Sequence, residues 1–271
     1  MKIILTGKNS YISNNTCTYI NSLGFDAECV SIRNGVDSID FNWVDAVIHC
    51  AAIVHKKEKD YINEYDKVNY DLTVELVNKA LKSGVKHFVF LSTMAVYGKT
   101  IGEINSKTTL EPTNLYGKSK LKAEEYLISN IKGKMKVSII RPPMVYGKNC
   151  VGNYIKLSKI AKLTPVIPDT KNKKSLVYIE NLAYLIGNIV KEGKEGIFMP
   201  MDNEYVSTAK IMKLISNKPI SVLLGTILKL LPFNIVKKSF GTLFYSEEIA
   251  TKIDYIPVDK AVRLSEKWKY M

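Results

Sequence analysis

Short apolar segments alternate with longer helical ones along the first half of this chain, and this alternation restricts the fold more than any other feature. The apolar segments cover Ile3 to Thr6, Glu28 to Ile32, Ala46 to His49, His87 to Leu91 and Val137 to Ile140. The helical segments lie near Tyr11 to Leu23, Tyr61 to Lys82 and Lys118 to Asn130. Short, mostly apolar runs are typical of strands that are covered on both faces. The sequence therefore predicts an α/β fold with a doubly wound parallel sheet, whose ligands bind beyond the carboxyl ends of the strands.

The regular alternation ends near Cys150. Beyond it lie a helical stretch, a connection that contains Pro165 and Pro168, and one further strand and helix between Leu176 and Lys191. A chain of 271 residues, 46 % of them hydrophobic, can bury the core of one large domain or of a domain with a smaller lobe. We therefore predict a sheet domain over residues 1–150, to which residues 176–192 return, and a smaller C-terminal lobe over residues 151–271.

The net charge of +13 favours anionic ligands, but the basic residues form no stripe. Only Arg33, Arg141 and Arg263 are arginines, and the lysines are scattered along the whole chain. Because nucleic-acid-binding proteins concentrate basic residues on one face, we expect no nucleic-acid partner. Small molecules that carry phosphate remain compatible with this charge.

The cysteines and the apolar segments bear on the cellular compartment. The four cysteines show neither paired spacing nor a neighbouring histidine cluster, which favours free thiols and predicts no metal site. The first strand begins at Lys2 without a signal peptide before it, so we expect a cytoplasmic protein. The longest apolar stretch, Ile220 to Val236, is interrupted by charge and proline and is predicted not to span a membrane. A lid or packing helix is favoured there, and a peripheral membrane contact stays open.

A turn with one glycine joins the first predicted strand to the first helix. Its sequence is Thr6-Gly7-Lys8-Asn9-Ser10-Tyr11-Ile12-Ser13. A dinucleotide site needs glycine here so that the backbone can approach a pyrophosphate at the helix N-terminus. Gly7 is present, whereas Ser10 and Ser13 stand at the two later glycine positions. Ser10, with Tyr11 and Ile12 after it, could still bind phosphate; an ordinary turn with a serine cap is the alternative.

The end of the second predicted strand bears on the choice of cofactor. Val30-Ser31-Ile32-Arg33 contains no acidic residue to bind a ribose 2′-hydroxyl. Arg33 could instead pair with a 2′-phosphate, which favours NADP(H) over NAD(H). An arginine in a surface loop is the alternative.

Small residues follow the third predicted strand. Cys50, Ala51 and Ala52 leave space for a cofactor that passes over the edge of the sheet. His49 precedes them, and we interpret it as a structural histidine, satisfied by the backbone, rather than as a catalytic base.

Tyr116 and Lys120 are four residues apart, which places them on one face of a helix. The ammonium group of Lys120 would favour the phenolate of Tyr116 and lower a pKa that is ordinarily about 10. The hydroxyl of Thr93, at the end of the fourth strand, could hold a carbonyl or alkoxide oxygen against that phenol. Such groups move a proton while a hydride moves elsewhere. Because the chain contains 16 tyrosines and many lysines, a chance pair on a solvated helix is the alternative.

The order of the motifs is more specific than any one of them. The matching residues are Gly7, His49-Cys50-Ala51-Ala52, Asn69, Ser92-Thr93 before Val96-Tyr97-Gly98, Tyr116 with Lys120, and Arg141-Pro142-Pro143 with Val145-Tyr146-Gly147. In this order the chain resembles, over its whole length, the extended short-chain dehydrogenase/reductase (NAD-dependent epimerase/dehydratase) family. Within it, the chain looks like the nucleotide-sugar 4-ketoreductases and 4-epimerases of capsule and O-antigen biosynthesis. The resemblance implies a Rossmann-type sheet domain that binds a dinucleotide and a C-terminal lobe that binds the substrate.

The resemblance also implies roles for individual residues. Tyr116 would be the acid/base, Lys120 would hold the nicotinamide ribose, and Thr93 would orient the C4 oxygen of a UDP-sugar. Further cofactor contacts would come from Cys50, Ala51, Ala52, Asn69, Ser92, Pro142 and Pro143. Further substrate contacts would come from Met94, Asn153 and Lys174. Lys174 would replace an arginine at the nucleotide diphosphate and would lack its bidentate bonding. A homodimer is the assembly that the resemblance implies.

The residues after Thr93 narrow the reaction. Dehydratases of this family usually carry Asp-Glu there, whereas Met94 and Ala95 cannot transfer protons, so dehydration is not expected. Ketoreductases use exchangeable NADPH, and Arg33 favours them over epimerases that recycle a tightly held NAD. We therefore predict NADP(H)-dependent reduction of the C4 ketone of a UDP-linked 4-keto-6-deoxy-N-acetylhexosamine for surface polysaccharide synthesis; the N-acetyl and 6-deoxy details rest on the resemblance alone. The alternatives are an NAD-dependent UDP-sugar 4-epimerase and a non-catalytic nucleotide-sensing protein of the same fold.

Overall fold

The computed structural model describes residues 1–54, 62–231 and 234–266. Its strands are β1 (Lys2–Thr6), β2 (Asp26–Val30), β3 (Ala46–His49), β4 (His87–Leu91), β5 (Gly102–Ile104), β6 (Lys136–Ile140), β7 (Met144–Tyr146), β8 (Ile167–Pro168), β9 (Leu176–Tyr178), β10 (Gly196–Asp202), β11 (Ile220–Ser221), β12 (Leu243–Tyr245) and β13 (Ala250–Ile253). Its α-helices are α1 (Tyr11–Ser22), α2 (Ile62–Asp66), α3 (Leu72–Lys82), α4 (Leu115–Tyr126), α5 (Asn153–Leu163), α6 (Ile179–Glu192), α7 (Thr208–Ser216), α8 (Val222–Leu230), α9 (Asn234–Phe240) and α10 (Val258–Glu266). Single π-helical turns cover Lys67–Asp71 and Leu127–Ile131, and a 3-10 turn covers Met94–Tyr97.

Seven of these strands form one parallel sheet in the order β13-β10-β6-β4-β3-β1-β2. This sheet confirms the predicted α/β fold. The order of strands reverses between β1 and β3, where Thr6 lies opposite His49. In doubly wound sheets, ligands bind beyond the carboxyl ends of the strands at such a switch point. The topology therefore directs attention to the residues that follow Thr6 and His49.

The connection from β2 to β3 covers the sheet without forming a helix, within the described residues 31–45. Its apolar side chains are at most 5 % exposed and are those of Ile32, Val36, Ile39, Phe41 and Val44. They pack into the same cluster as Val47 of β3 and Phe88 of β4. A loop thus supplies the apolar cover that a helix supplies elsewhere in such folds.

The chain divides into two compact units. The first contains residues 1–98, 109–142 and 182–198, and the second contains residues 99–108, 143–181 and 199–271. This division differs from the predicted boundary at residue 150, because β7 follows Pro143 and pairs with β9. It differs also at residues 99–108, because β5 pairs with β12. Most of α6, from Leu182 onward, belongs to the first unit, whereas β9 belongs to the second.

The apolar stretch that begins at Ile220 forms β11, α8 and the start of α9, and residues 232–233 within it lie outside the described part. Among the described helices, none is both long enough and apolar enough to cross a bilayer.

Candidate active site

The glycine turn before α1 is shaped for close approach to its backbone. Gly7 has a φ of +95°, and a Cβ atom there would lie 3.1 Å from Cβ of Ser10 and 3.3 Å from the backbone nitrogen of Ala51. The N–H groups of Gly7 and Lys8 donate to the carbonyl of Val30 at 2.9 and 3.1 Å, which fixes the turn to the end of β2. The first turn of α1 contains no acidic residue. Its N-terminus is therefore favourable for an anion.

The serines at the two later glycine positions have different environments. Ser13 is fully buried, and its hydroxyl lies 3.1 Å from Sγ of Cys29 on β2, so a small side chain keeps α1 close to the sheet. Ser10 caps α1, and its Oγ accepts from the N–H of Ser13 at 3.5 Å. The Ser10 hydroxyl can still donate its own proton to a phosphate oxygen. With Tyr11 and Ile12 in the first helical turn, these residues fit a dinucleotide pyrophosphate.

The end of β2 presents Arg33 to solvent. Arg33 is exposed, and its N–H donates to Oγ of Ser31 at 3.3 Å. Because the N–H groups of Gly7 and Lys8 donate to Val30, Arg33 lies three residues beyond the contact with the glycine turn, at the same edge of the sheet. An exposed guanidinium at that edge can pair with a second phosphate group.

His49 is a structural residue, but side-chain hydroxyls rather than the backbone satisfy it. Its Nδ1 lies 2.7 Å from Oγ1 of Thr6, and its Nε2 lies 2.9 Å from Oγ1 of Thr73. The Thr73 hydroxyl donates to the carbonyl of Asn69 at 2.9 Å. It can therefore only accept from His49, so the imidazole carries its proton on Nε2 and accepts at Nδ1. Burial, with a smaller effect of Lys120, lowers the pKa of His49 well below 6.5 and keeps the ring neutral.

Asn69 fixes the chain that follows β3. Its Oδ1 accepts from the N–H of Ile53 at 2.8 Å, and its Nδ2 donates to the carbonyl of Ile53 at 3.2 Å and to Oγ of Ser119 at 3.0 Å. Both donors of the amide are therefore used inside the protein. Asn69 holds the segment of Cys50, Ala51 and Ala52 against α4, which is an indirect way of shaping the predicted cofactor site.

Local capping places Tyr116 beside Thr93. Oδ1 of Asn114 accepts from the N–H of Gly117 at 2.7 Å and starts α4 just before the tyrosine. A Cβ atom on Gly117 would lie 2.8 Å from the carbonyl oxygen of Ala95, so glycine lets α4 approach the 3-10 turn closely. Thr93 caps that turn by accepting from the N–H of Ala95 at 3.1 Å. The hydroxyls of Thr93 and Tyr116 are hydrogen-bonded to each other.

Lys120 is almost completely buried, at 1 % exposure. Its Nζ donates to the carbonyl of Leu91 at 2.7 Å and lies 4.4 Å from the centre of the Phe90 ring. Burial lowers the pKa of Lys120 to about 8, against smaller opposing effects of Cys50 and Glu124. A buried ammonium with two of its three donors unused by Leu91 is suited to bind polar groups of a ligand.

The predicted lowering of the Tyr116 pKa is not what the structure shows. Burial raises the pKa of the phenol to about 12, although the hydrogen bond with Thr93 acts in the opposite direction. Lys120 directs its ammonium to Leu91. Tyr116 is therefore protonated at neutral pH and is an acid in this state.

A buried ion pair next to these residues was missed by the sequence reasoning. Glu124 and Arg141 form it, at 2.5 Å between Oε2 and Nη2, with side chains 1 % and 5 % exposed. Ser92 donates to Glu124, and Nη1 of Arg141 donates to the hydroxyl of Tyr97 at 2.8 Å. The pair thus joins α4 to the ends of β4 and β6. In the sequence, Glu124 stands four residues after Lys120, a spacing that is usual on solvated helices. The burial of Glu124 and its pairing with Arg141 are therefore visible only in the structure.

The remaining predicted site residues lie in different places. The hydroxyl of Ser92 donates to the carboxylate of Glu124. Met94 is buried, and its N–H donates to the carbonyl of Pro142 at 2.9 Å. Pro143, Asn153 and Lys174 belong to the second unit. Asn153 is exposed in the first turn of α5. Nζ of Lys174 donates to the carbonyl of Lys238 at 3.0 Å, and burial lowers the pKa of this lysine to about 8.

Comparisons with known proteins agree with this arrangement. The model of the NAD dependent epimerase/dehydratase family matches residues 3–197. The UDP-glucose 4-epimerase of Vibrio cholerae is 30 % identical over an alignment 285 residues long, gaps included, which covers 93 % of this chain and 84 % of that protein. Among the solved structures that share the fold, two serve as examples. They are the UDP-glucuronic acid 4-epimerase of Bacillus cereus in complex with NAD (18 % identity, TM-score 0.74, 99 % of this chain and 98 % of that one) and RMD of Pseudomonas aeruginosa complexed with NADPH (14 %, 0.73, 98 % and 98 %).

The family match spans most of the chain, and it includes the glycine turn, the Thr93–Tyr116 hydrogen bond and Lys120. This protein belongs to the NAD-dependent epimerase/dehydratase family.

Proposed function

We propose that this protein reduces the C4 ketone of a UDP-linked sugar with NADPH, and that Tyr116 protonates the C4 oxygen. The observation that carries the proposal is the hydrogen-bonded pair of Thr93 and Tyr116, in which the raised pKa of about 12 keeps the phenol protonated. A protonated phenol beside a second hydroxyl is ready to give a proton to an alkoxide. The 4-keto-6-deoxy-N-acetylhexosamine of the sequence prediction is the first substrate to test.

The chain's own residues divide the work. Thr93 hydrogen-bonds the C4 oxygen and aligns it with the phenol of Tyr116, which donates its proton as negative charge develops on that oxygen. Lys120 would bind the ribose of the cofactor through the donors of its ammonium group that the carbonyl of Leu91 does not use. The bound nicotinamide cofactor supplies the hydride. Asn69 and the Glu124–Arg141 pair hold these groups in register.

Arg33 supports the choice of NADPH. It is exposed after β2, where no acidic side chain occurs between residues 30 and 35 to bind a ribose 2′-hydroxyl. We therefore expect Arg33→Asp to weaken the binding of NADPH more than the binding of NADH. Lys86→Asp is a matched control, because it changes the charge of an exposed lysine just before β4.

A second candidate is a UDP-sugar 4-epimerase. It is favoured by the Vibrio cholerae relative, which carries that name and aligns with 93 % of this chain. In this reaction Tyr116 would first accept a proton from the C4 hydroxyl. The epimerase mechanism therefore requires the pKa of Tyr116 to fall when ligands bind.

One assay separates the two candidates. The purified protein is mixed with a UDP-4-keto-6-deoxy sugar, and the absorbance of NADPH and NADH is followed separately. Consumption of NADPH supports the reductase. Interconversion of UDP-glucose and UDP-galactose, with neither reduced cofactor consumed, supports the epimerase instead.

The role of Tyr116 is tested by its phenylalanine variant. We expect Tyr116→Phe to lower turnover on the order of a hundredfold or more, the scale of a lost general acid. Tyr126→Phe is the matched control on α4, since that hydroxyl accepts from Asn78 instead. Equal turnover in both variants would remove Tyr116 from the mechanism.

A further inference from the structure

Helix α8 presents a stripe of apolar side chains to solvent. Leu223, Ile227 and Leu230 are 71 %, 51 % and 80 % exposed, and their spacing places them on one face of the helix. The opposite face is fixed, because a Cβ atom on Gly225 would lie 1.9 Å from the carbonyl oxygen of Asp169. The outward direction of the stripe is therefore set by the packing of the backbone itself.

Other exposed apolar residues extend this stripe at both ends of the helix. They are Ile220, Val222, Leu224 and Leu231, each at least 37 % exposed. Leu163, at the end of α5, is 82 % exposed. It lies close to the strand that leads into α8, because Nζ of Lys218 donates to the carbonyl of Lys162. We call α8 together with these residues the α8 surface. Exposed apolar groups of this extent on a soluble domain mark an interaction site.

The surroundings of the α8 surface are basic. Residues 205–246 contain six lysines and no aspartate or glutamate. Lys229 is exposed on α8 between Ile227 and Leu230, and Lys237 and Lys238 are exposed on α9. On α5, Lys156 and Lys159 are exposed in the turns before Leu163. The acidic residues packed beside this region are Asp169, against the opposite face of α8, and Glu266, which pairs with Lys162. Exposed apolar side chains flanked by an excess of lysines are typical of helices that lie in the interface of an anionic membrane.

We propose that the α8 surface docks this protein onto the surface of an anionic phospholipid bilayer. The apolar stripe enters the boundary between headgroups and acyl chains, and the flanking lysines meet lipid phosphates. A second copy of the chain is a poorer occupant. In a two-fold contact the same surface meets itself, so the lysines of both copies would be brought together. The bilayer neutralises these charges and takes up the apolar side chains as well.

Vesicle sedimentation tests the proposal with the full chain. We expect the protein to sediment with vesicles of phosphatidylcholine and phosphatidylglycerol, to bind far less to vesicles of phosphatidylcholine alone, and to be released by high salt. Equal binding to both kinds of vesicle, or binding to neither, would overturn the proposal.

Variants assign the binding to the α8 surface. The double variant Leu223→Gln/Leu230→Gln should lower the partition coefficient on the order of tenfold or more, because two side chains no longer enter the lipid. Lys237→Gln and Lys238→Gln should each lower it about fivefold at low salt. Ile128→Gln, at an apolar position of the first unit that is 42 % exposed, is the matched control and should bind like the parent protein.

Two measurements distinguish membrane docking from misfolding and from self-association. All the substituted side chains are exposed, so we expect each variant to fold like the parent protein. Circular dichroism checks this. Light scattering gives the mass in solution. If the α8 double variant halves the mass while the parent protein ignores vesicles, the surface is a contact between copies and the proposal is wrong.

Discussion

The candidate site in the first unit and the α8 surface in the second depart from the usual distribution of side chains in opposite ways. Beneath the site, Glu124, Arg141 and Lys120 are at most 5 % exposed, and each is held by specific partners. On α8, Leu223 and Leu230 are more than 70 % exposed. Scattered exposed leucines are ordinary, whereas buried charges and extended apolar patches are informative. Both regions therefore indicate function: the buried charges support a catalytic site, and the exposed apolar side chains support a binding surface.

The two regions also differ in how they contribute to stability. Burying a charge costs free energy unless a partner compensates it, so the network under the site is sensitive to the loss of any member. Substitution of the exposed side chains of α8 should change the free energy of unfolding little, because water already surrounds most of their surface. Substitutions in the two regions should therefore separate stability from binding.

The largest effect is expected from Glu124→Gln. This variant leaves Arg141 buried without its charge partner, and we expect the free energy of unfolding to fall by about 3–5 kcal/mol. Lys122→Gln is the control on the same helix, since Lys122 and Asp66 form a pair whose side chains are 47 % and 53 % exposed. That change should cost about 0–1 kcal/mol. Urea denaturation measures the free energy of unfolding of both variants. Equal losses would show that the buried ion pair contributes no more to stability than the exposed one.

Asn69→Ala should have the next largest effect. It leaves the N–H and carbonyl of Ile53 without their partner and removes one of the two hydrogen bonds of the Ser119 hydroxyl, which should cost about 1–3 kcal/mol of unfolding free energy. Asn78→Ala, which loses one bond to the Tyr126 hydroxyl at a partly buried position, is the control and should cost less. If Asn69 also shapes the cofactor site, calorimetric titration with NADPH will show weaker binding to Asn69→Ala alone. Unchanged affinity would limit Asn69 to a structural role.

The fold of the first unit was predictable because its strands are buried on both faces. The predicted strands Ala46 to His49 and His87 to Leu91 coincide with β3 and β4, whereas the predicted Glu28 to Ile32 is shifted from β2 by two residues. The shift arises because Ile32 extends the apolar pattern although it lies outside the strand. Its side chain is buried in the loop that covers the sheet. Strand β10 was not predicted, since Gly196 and Pro200 interrupt its apolar pattern.

The site was predictable in part. Spacing alone was sufficient to place Tyr116 and Lys120 on one helix, and the strand end was sufficient to place Thr93 near them. The pKa of Tyr116 and the bonding of Ser92 to Glu124 were not accessible, because they depend on burial and on residues distant in the sequence. The same limit applies to α8, whose apolar composition was visible but whose exposure was not.

A smaller effect is expected from His87, a buried histidine at the start of β4, opposite the end that carries Thr93. Its Nε2 lies 2.7 Å from Oγ of Ser138, and burial, followed by Lys136, lowers its pKa from 6.5 to about 4. The unfolded chain therefore takes up this proton first as the pH falls. Stability due to His87 is present above pH 6.5 and is lost as the pH falls towards 4, by about 1–2 kcal/mol.

Comparison of the parent protein with His87→Gln isolates this contribution. Asp202 titrates in the same range with the opposite sign, because burial raises its pKa to about 6, but it is present in both proteins and cancels in the difference. Urea denaturation at several values between pH 7 and pH 4.5 should therefore show a steeper loss of stability in the parent. Parallel curves would mean that the imidazole is not buried in its neutral form.

The smallest effect on stability is expected from Leu230→Gln on α8. The side chain is 80 % exposed, so we expect the free energy of unfolding to change by no more than about 0.5 kcal/mol. Leu76→Gln is the contrasting variant, since Leu76 is fully buried in the core of the first unit and should be destabilised severely. A loss in Leu230→Gln approaching that of Leu76→Gln would mean that α8 is covered in solution. The same side chains of α8 would then provide both stability and contact, unlike those of the candidate site.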